Sequence, residues 1–396
     1  MSRGKVNTGY IPSLDGWRCV AILGVLMTHD QPWGIGRFSN AAWKGYGGWG
    51  VYLFFAISGF LICTRILEDE VRLGSFRLKA FYVRRFFRIQ PAAWVYLAAI
   101  ALLIALGIDH DSWSSWRGAM LLYTNFLHNA NDPTADGYFT THFWTLAVEE
   151  HFYLLLSLLL FFVKRRRVAM FTGVFLAVVL LKRWIYASGF YDDATMSRQT
   201  QMMIGFLLFP ALLALLLQDK RVKVLATRWL RPWVAYLATM AVMVLFGLRE
   251  FGRHGMLHPL THPVDTMNTV LFGFAFWVVA TSLHPRSWST RLLELAPIRF
   301  VGRLSYSIYL WHVLLFTTQA GVSWRPLLLL SERPWRYLAT IALSLLSYYL
   351  VEKPMIRLGH RIAPPATPGH ADLFVAEDAD AGGLEVAMAG PIAEAS

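Results

Sequence analysis

The sequence predicts an all-α protein, a polytopic membrane helical bundle with about ten transmembrane helices and both termini in the cytoplasm. Two observations lead to this prediction. Of the 396 residues, 56% are hydrophobic and only 16% are charged, whereas a soluble domain carries about 25% charged residues. The apolar residues also form long runs, and roughly 20 largely apolar residues suffice to cross a bilayer.

The predicted spans follow one another along the chain with short polar breaks. They lie near residues 12–29, 49–66, 91–108, 146–163, 168–187, 201–217, 232–248, 267–284, 304–321 and 335–352. We therefore expect one membrane domain over residues 1–362. Residues 363–396 are rich in Pro, Ala, Gly, Asp and Glu, a composition that cannot bury a core, so they are expected to form a disordered acidic cytoplasmic tail.

The basic residues set the predicted orientation. With the N-terminus inside, 25 of the 37 Lys and Arg residues fall on the cytoplasmic side, as the positive-inside rule requires. This topology explains the net charge of +12, and it argues against a nucleic-acid partner. We expect a multi-pass protein of the cell inner membrane whose main partner is the lipid bilayer. The two cysteines, Cys19 and Cys63, both lie in apolar spans and predict neither a disulfide framework nor a metal site.

The first span carries two ionisable residues, Arg18 and His29. Such groups at membrane depth are candidates for function. Their separation of eleven residues is about three helical turns, so both face the same way, about 16 Å apart along the axis. This geometry suits a long ligand with an anionic head near Arg18 and a reactive group near His29. The alternative is that His29 only ends the helix at the outer interface.

Two further spans carry polar residues in apolar surroundings. Glu149 and Glu150 lie just inside the outer end of the fourth span, where a helix N-terminus favours negative charge. Capping explains one carboxylate more readily than two. One of them is expected to orient His29, as in hydrolase-type triads, and spacing does not decide which. Ser58, followed by Gly59 in the second span, is a candidate for binding or nucleophilic attack, or else marks close helix packing.

The cytoplasmic loop expected before the third span contains FYVRRFFRIQP, in which Arg85 and Arg88 are three residues apart. Two functions are open for these arginines. They anchor the loop to anionic lipid headgroups, or they bind phosphate through their guanidinium groups.

Six segments in a fixed order give the sequence its resemblance to the acyltransferase-3 family of membrane acyltransferases, over roughly residues 10–360. They are LDGWRCVAILGVLMTH, GVYLFFAISGFLI, FYVRRFFRIQP, FWTLAVEEHFYLL, LSYSIYLWH and VEKP. The resemblance implies an acyl-CoA donor, commonly acetyl-CoA, and transfer of the acyl group to a hydroxyl of a carbohydrate or glycosylated acceptor. It makes His29 the essential histidine and assigns Arg85 and Arg88 to the CoA moiety. It also includes Arg18, Ser58, Glu149 and Glu150 among the motif residues.

Two positions depart from the family pattern. His151 stands where a glutamine is usual and Ser157 where a proline is usual, which questions the acceptor more than the reaction. The acceptor itself is not predicted, although the outer loop at residues 109–143 is rich in Asp, Asn, His and Trp, which suit sugars.

Two mechanisms follow from these residues, and one function of another class competes with them. In the favoured mechanism His29 is a general base for direct transfer. In the other, an acyl-enzyme forms on His29 or Ser58 and gives ping-pong kinetics. The competing function is a transporter of lipid-linked sugars. Transporters often contain paired repeats, and none is evident between residues 1–200 and 201–360.

Overall fold

The computed structural model describes residues 10–30, 49–127, 137–189, 198–252, 263–316, 322 and 324–364. Within these residues the structure is helical and contains no β-strand. Most of the expected tail, from residue 365 onward, lies outside the described part. In chain order the helices are α1 (Pro12–His29), α2 (Trp49–Leu73), α3 (Leu78–Ala105), α4 (Trp113–Met120), α5 (Thr124–Leu127), α6 (Phe143–Phe162), α7 (Arg167–Ser188), α8 (Thr200–Met203), α9 (Gly205–Leu216), α10 (Lys220–Trp229), α11 (Pro232–Gly252), α12 (Pro263–Leu283), α13 (Trp288–Leu293), α14 (Ala296–Phe316), α15 (Arg325–Leu330), α16 (Trp335–Ser347) and α17 (Lys353–Ile362).

Where the structure describes them, the predicted spans coincide with helical structure, and four helices of this described part meet the length and hydropathy that a membrane crossing needs. These four are α2, α3, α6 and residues Arg167–Ile185 of α7, with lengths of 25, 28, 20 and 19 residues. The count of about ten crossings and the cytoplasmic location of the termini stay predictions. The all-α class is confirmed.

The arginine-rich stretch between the second and third spans is helical, so the prediction of a loop there was wrong. Helix α3 begins at Leu78 and continues through Pro91 to Ala105. Arg85 and Arg88 therefore lie on consecutive turns of one helix face. Phe81 and Ile89 of the same stretch are buried, and this burial of the aromatic and aliphatic side chains favours a helix that packs against the bundle.

Helix α1 packs between α2 and α14 with its backbone close to both. A Cβ atom added to Gly302 of α14 would lie 1.8 Å from the carbonyl oxygen of Asp15. One added to Gly50 of α2 would lie 2.4 Å from the carbonyl oxygen of Ala21. Small residues allow helix backbones to approach in this way, and here they bring α1 into the centre of the bundle.

A short π-helix, Tyr348–Glu352, joins α16 to α17. Such segments are frequent at functional sites. Here it turns Glu352 inward, where the side chain is only 2% exposed and its carboxylate accepts a hydrogen bond of 2.8 Å from the Ser307 hydroxyl. The VEKP segment at this point therefore contributes a buried carboxylate to the bundle.

Candidate functional site

A cavity of about 310 Å³ extends between α1, α2, α3, α6 and α14. Helix directions define its two ends. One end is lined by Arg65 near the C-terminal end of α2, Arg84 of α3 and His360 of α17. The other end is lined by His142, which directly precedes α6, and by Leu310 of α14. We call these the arginine end and the histidine end.

The arginine end concentrates positive charge. Arg18, Arg85, Arg88 and Arg303 all line the cavity on this side. A 3.6 Å ion pair joins Arg18 Nη1 to Asp15 Oδ1. Arg88 has no hydrogen bond or ion pair to any residue that the structure describes, and its charged neighbours at longer range include Arg18 and Glu352. An anion entering this end would therefore meet a guanidinium group that is not already engaged.

Arg85 is held by the glutamate pair. Its Nε donates a 3.2 Å hydrogen bond to Glu150 Oε1, its Nη2 lies 3.8 Å from Glu149 Oε2, and its guanidinium lies 3.2 Å from the ring centroid of Tyr153. Glu149 also accepts hydrogen bonds from the Ser58 hydroxyl at 2.9 Å and from the Tyr153 hydroxyl at 3.1 Å. Four of the predicted site residues thus form one network in the middle of the cavity.

The two residues of the Ser58–Gly59 pair have different surroundings. A Cβ atom added to Gly59 would lie 2.2 Å from the carbonyl oxygen of Leu207, so the glycine serves the close packing of α2 against α9. Ser58 lines the cavity.

His29 has a backbone partner rather than a carboxylate partner. Its Nδ1 donates a 2.9 Å hydrogen bond to the carbonyl oxygen of Val25, and its ring centroid lies 4.9 Å from that of His312 in an edge-to-face contact. This geometry differs from the expectation that Glu149 or Glu150 orients His29. Because α6 begins at Phe143, Glu149 lies about 9 Å along that helix from the histidine end, at the level of Arg85.

His142 is a residue at the histidine end that sequence reasoning missed. Its side chain is 4% exposed, and within the described part of the chain neither ring nitrogen has good hydrogen-bond geometry, with only a weak interaction to the Leu310 backbone. Its ring centroid lies 5.9 Å from that of His312. The only signal in the sequence was a histidine directly before the FWTLAVEE segment. His312, at the end of the LSYSIYLWH segment, therefore has ring contacts with both His142 and His29.

A second missed cluster surrounds Asp30, directly after α1. Its carboxylate accepts hydrogen bonds from Arg333 Nη2 and Arg336 Nη1, both at 2.9 Å, and from the Tyr337 hydroxyl. Asp30 is 2% exposed. A negative charge at a helix C-terminus opposes the helix dipole, and the two arginines compensate for it. The cluster ties the His29 end of α1 to α16.

Acidic residues of the loop at residues 109–143 make hydrogen bonds within the fold. Asp111 accepts hydrogen bonds from the backbone N–H groups of Tyr138 at 2.6 Å and Phe139 at 3.1 Å. Burial, together with the nearby charge of Asp111, raises the pKa of Asp109 to about 6. Residues 128–136 of the expected sugar-binding loop lie outside the described part.

The two departures from the family pattern have local hydrogen bonds. His151 Nδ1 lies 2.7 Å from the Thr200 hydroxyl, and the Ser157 and Tyr82 hydroxyls are 2.7 Å apart. Neither residue lines the cavity. Cys19 and Cys63 are buried free thiols, and no group of three or more metal-ligating side chains is found among the described residues.

Comparison with known proteins gives a family match and several named relatives. A family profile described as an acyltransferase domain matches residues 11–353. The peptidoglycan O-acetyltransferase OatA of Listeria monocytogenes is 26% identical over 374 residues, which are 90% of this chain and 57% of that protein. The O-acetyltransferase OatA of Staphylococcus aureus is 25% identical over 383 residues, 89% of this chain and 58% of that one.

A further Staphylococcus aureus protein, provisionally named an O-acetyltransferase, is 28% identical over 321 residues, 76% of this chain and 50% of its own length. The chain thus spans about half the length of these relatives. No solved structure matches the sequence.

Proposed function

Because the chain belongs to the acyltransferase-3 family, we propose that it is a membrane O-acyltransferase that takes an acyl group from cytoplasmic acyl-CoA. We propose acetyl-CoA as the donor and a hydroxyl of a carbohydrate or glycosylated molecule as the acceptor. The observation that carries the proposal is a cavity lined by several arginines at one end and by His142 at the other, with the His142 ring in contact with His312 and the His312 ring in contact with His29. The proposed location is the cell inner membrane, with the membrane domain over residues 1–362 and the arginine end toward the cytoplasm.

The proposed donor site is the arginine end. CoA carries several phosphate charges, and guanidinium groups bind phosphate well because they offer paired N–H donors. Arg88 has no partner to give up among the described residues, and Arg18 has only a 3.6 Å pair with Asp15. Arg85 is included as a donor-binding residue that shares its guanidinium with Glu149 and Glu150.

The proposed base is Nε2 of His29. Because Nδ1 donates to the carbonyl oxygen of Val25, Nδ1 carries the ring hydrogen and Nε2 keeps its lone pair. As the acceptor oxygen bonds to the acyl carbon, its proton passes to Nε2. The carbon–sulfur bond breaks, and the thiolate of CoA finally takes that proton. Help of this kind contributes about 10²–10⁴-fold to a rate.

Direct transfer is the mechanism we favour, and an acyl-enzyme on His29 or Ser58 is the alternative. The hydrogen bond from Ser58 to Glu149 offers a route for the serine proton in that alternative. Glu149 and Glu150 otherwise act by keeping Ser58 and Arg85 in place beside the donor. Ping-pong kinetics would identify the acyl-enzyme route.

The first acceptors to test are cell-wall carbohydrates, because one relative is named as a peptidoglycan O-acetyltransferase. The donor test needs no acceptor. We would measure binding and slow hydrolysis of labelled acetyl-CoA by the wild type, His29→Ala and the control His284→Ala in nanodiscs. We expect all three proteins to bind and only His29→Ala to lose hydrolysis. If the wild type binds neither acetyl-CoA nor longer acyl-CoAs, the donor assignment is wrong and a transporter of lipid-linked sugars becomes the better explanation.

A further inference from the structure

The surroundings of His142 suit a side chain that binds a ligand. His142 lines the histidine end of the cavity, is 4% exposed, and has no ring nitrogen in good hydrogen-bond geometry within the described structure, the Leu310 backbone being a weak partner. A buried polar group left unpaired costs about 1–3 kcal/mol. That cost is recovered if a ligand atom in the cavity accepts a hydrogen bond from the ring.

The backbone at His142 is fixed by its neighbours. Its carbonyl oxygen accepts a 2.9 Å hydrogen bond from the Tyr309 hydroxyl and a 3.1 Å hydrogen bond from the Thr145 hydroxyl, and these two hydroxyls lie 2.6 Å apart. The ring packs edge-to-face against Tyr96, with 5.3 Å between centroids. An N–H group held in this way is oriented before any ligand arrives, which is the condition for strong electrostatic stabilisation.

The two other histidines of this end have different surroundings. His312 is fully buried, its Nδ1 is bonded to the carbonyl oxygen of Tyr309 at 2.7 Å, and it does not line the cavity. His29 does not line the cavity either, and its ring centroid lies 4.9 Å from that of His312. Among the described residues His142 is thus the histidine that a donor would meet at this end of the cavity.

We propose that His142 is a catalytic residue whose ring N–H donates a hydrogen bond to the carbonyl oxygen of the acyl thioester. This inference rests on the proposed function. The acceptor oxygen attacks the acyl carbon and its proton goes to His29. The carbonyl π electrons move onto the oxygen that His142 holds, and they return as the carbon–sulfur bond breaks and the CoA thiolate leaves. His142 itself gains and loses no proton.

The direct test measures how strongly the bound carbonyl is polarised. Acetonyl-dethia-CoA, in which a methylene replaces the thioester sulfur, binds without reacting, and a ¹³C label at its ketone makes the infrared stretch assignable. We expect the stretch to move to lower frequency on binding to the wild type and to the control His151→Phe. In His142→Phe this shift is lost. In His142→Gln part of it remains, because the amide group still supplies an N–H donor.

Kinetics give the second readout. Removing one donor to an oxyanion lowers kcat by about 10²–10³-fold, so acetyl-CoA hydrolysis should fall by this factor in His142→Phe and by less in His142→Gln. The affinity for acetyl-CoA should stay within a few-fold of the wild-type value. The pH profile of hydrolysis should keep its shape. A full carbonyl shift and full hydrolysis in His142→Phe would overturn the inference while leaving the proposed function intact. A wild type that does not bind acyl-CoA would overturn both.

Discussion

The Asp30 cluster gives a prediction whose size follows from the structure. Asp30→Asn keeps the shape of the side chain but leaves Arg336, whose side chain is 7% exposed, buried without a counter-charge. Breaking a buried ion pair in this way costs about 3–5 kcal/mol. Arg333 is 40% exposed, so its guanidinium group can be hydrated instead. We therefore expect Asp30→Asn to cost about 3 kcal/mol, the lower end of that range. Arg336→Gln should cost about 2 kcal/mol and Arg333→Gln about 1 kcal/mol or less.

The assay is reversible unfolding in mixed micelles, with the free energy of unfolding measured for the three single variants. The double variant Asp30→Asn/Arg336→Gln should be less unstable than the sum of its parts by about 1 kcal/mol or more, because the residues are in contact. The reasoning is refuted if Asp30→Asn unfolds like the wild type. Equal losses for Arg333→Gln and Arg336→Gln would also refute it, because exposure would then not decide the cost.

Two other predictions concern the donor site and the outer loop. Arg88→Gln should weaken acetyl-CoA binding by about 10- to 100-fold, since a hydrogen bond to a charged group contributes about 1.5–3 kcal/mol. The exposed control Arg228→Gln should bind acetyl-CoA like the wild type. Wild-type affinity in Arg88→Gln would contradict the assignment. Because burial raises the pKa of Asp109 to about 6, the folded protein keeps a proton that the unfolded chain loses above about pH 4. Stability should therefore fall as the pH rises from about 4 to 6, by about 1 kcal/mol after solvent screening. Asp109→Asn should remove that slope in thermal unfolding series, and an unchanged slope would show that another group causes it.

Sequence patterns predicted the helices well because apolar runs long enough to cross a membrane have few other stable structures. They also predicted that Arg18 and His29 share one helix, since a separation of eleven residues needs no knowledge of neighbouring helices. The stretch containing Arg85 was misassigned as a loop because its charges suggested solvent. Burial of Phe81 and Ile89 accompanies its helical structure.

Contacts between helices were harder to predict. The pattern indicated that Glu149 and Glu150 were important, but it placed them beside His29 because spacing along one helix does not show which side chains of a neighbouring helix lie at the same height. The true N-terminus at Phe143 moves the glutamates to Arg85 and brings His142 to the histidine end. Asp30 gave no signal at all, because its partners Arg333 and Arg336 are about 300 residues away along the chain and only tertiary packing brings them together.

The glycine contacts of α1 have a consequence for which donors can react. With Gly302 against the carbonyl of Asp15 and Gly50 against that of Ala21, α1 cannot slide along its axis without a clash. The separation of Arg18 and His29, about 16 Å along the helix, is therefore a fixed length against which a donor is measured. A donor with its anionic head and its acyl carbon that far apart reaches both residues at once. A short activated donor such as acetyl phosphate cannot, so under the proposed function we expect it to react more slowly than acetyl-CoA.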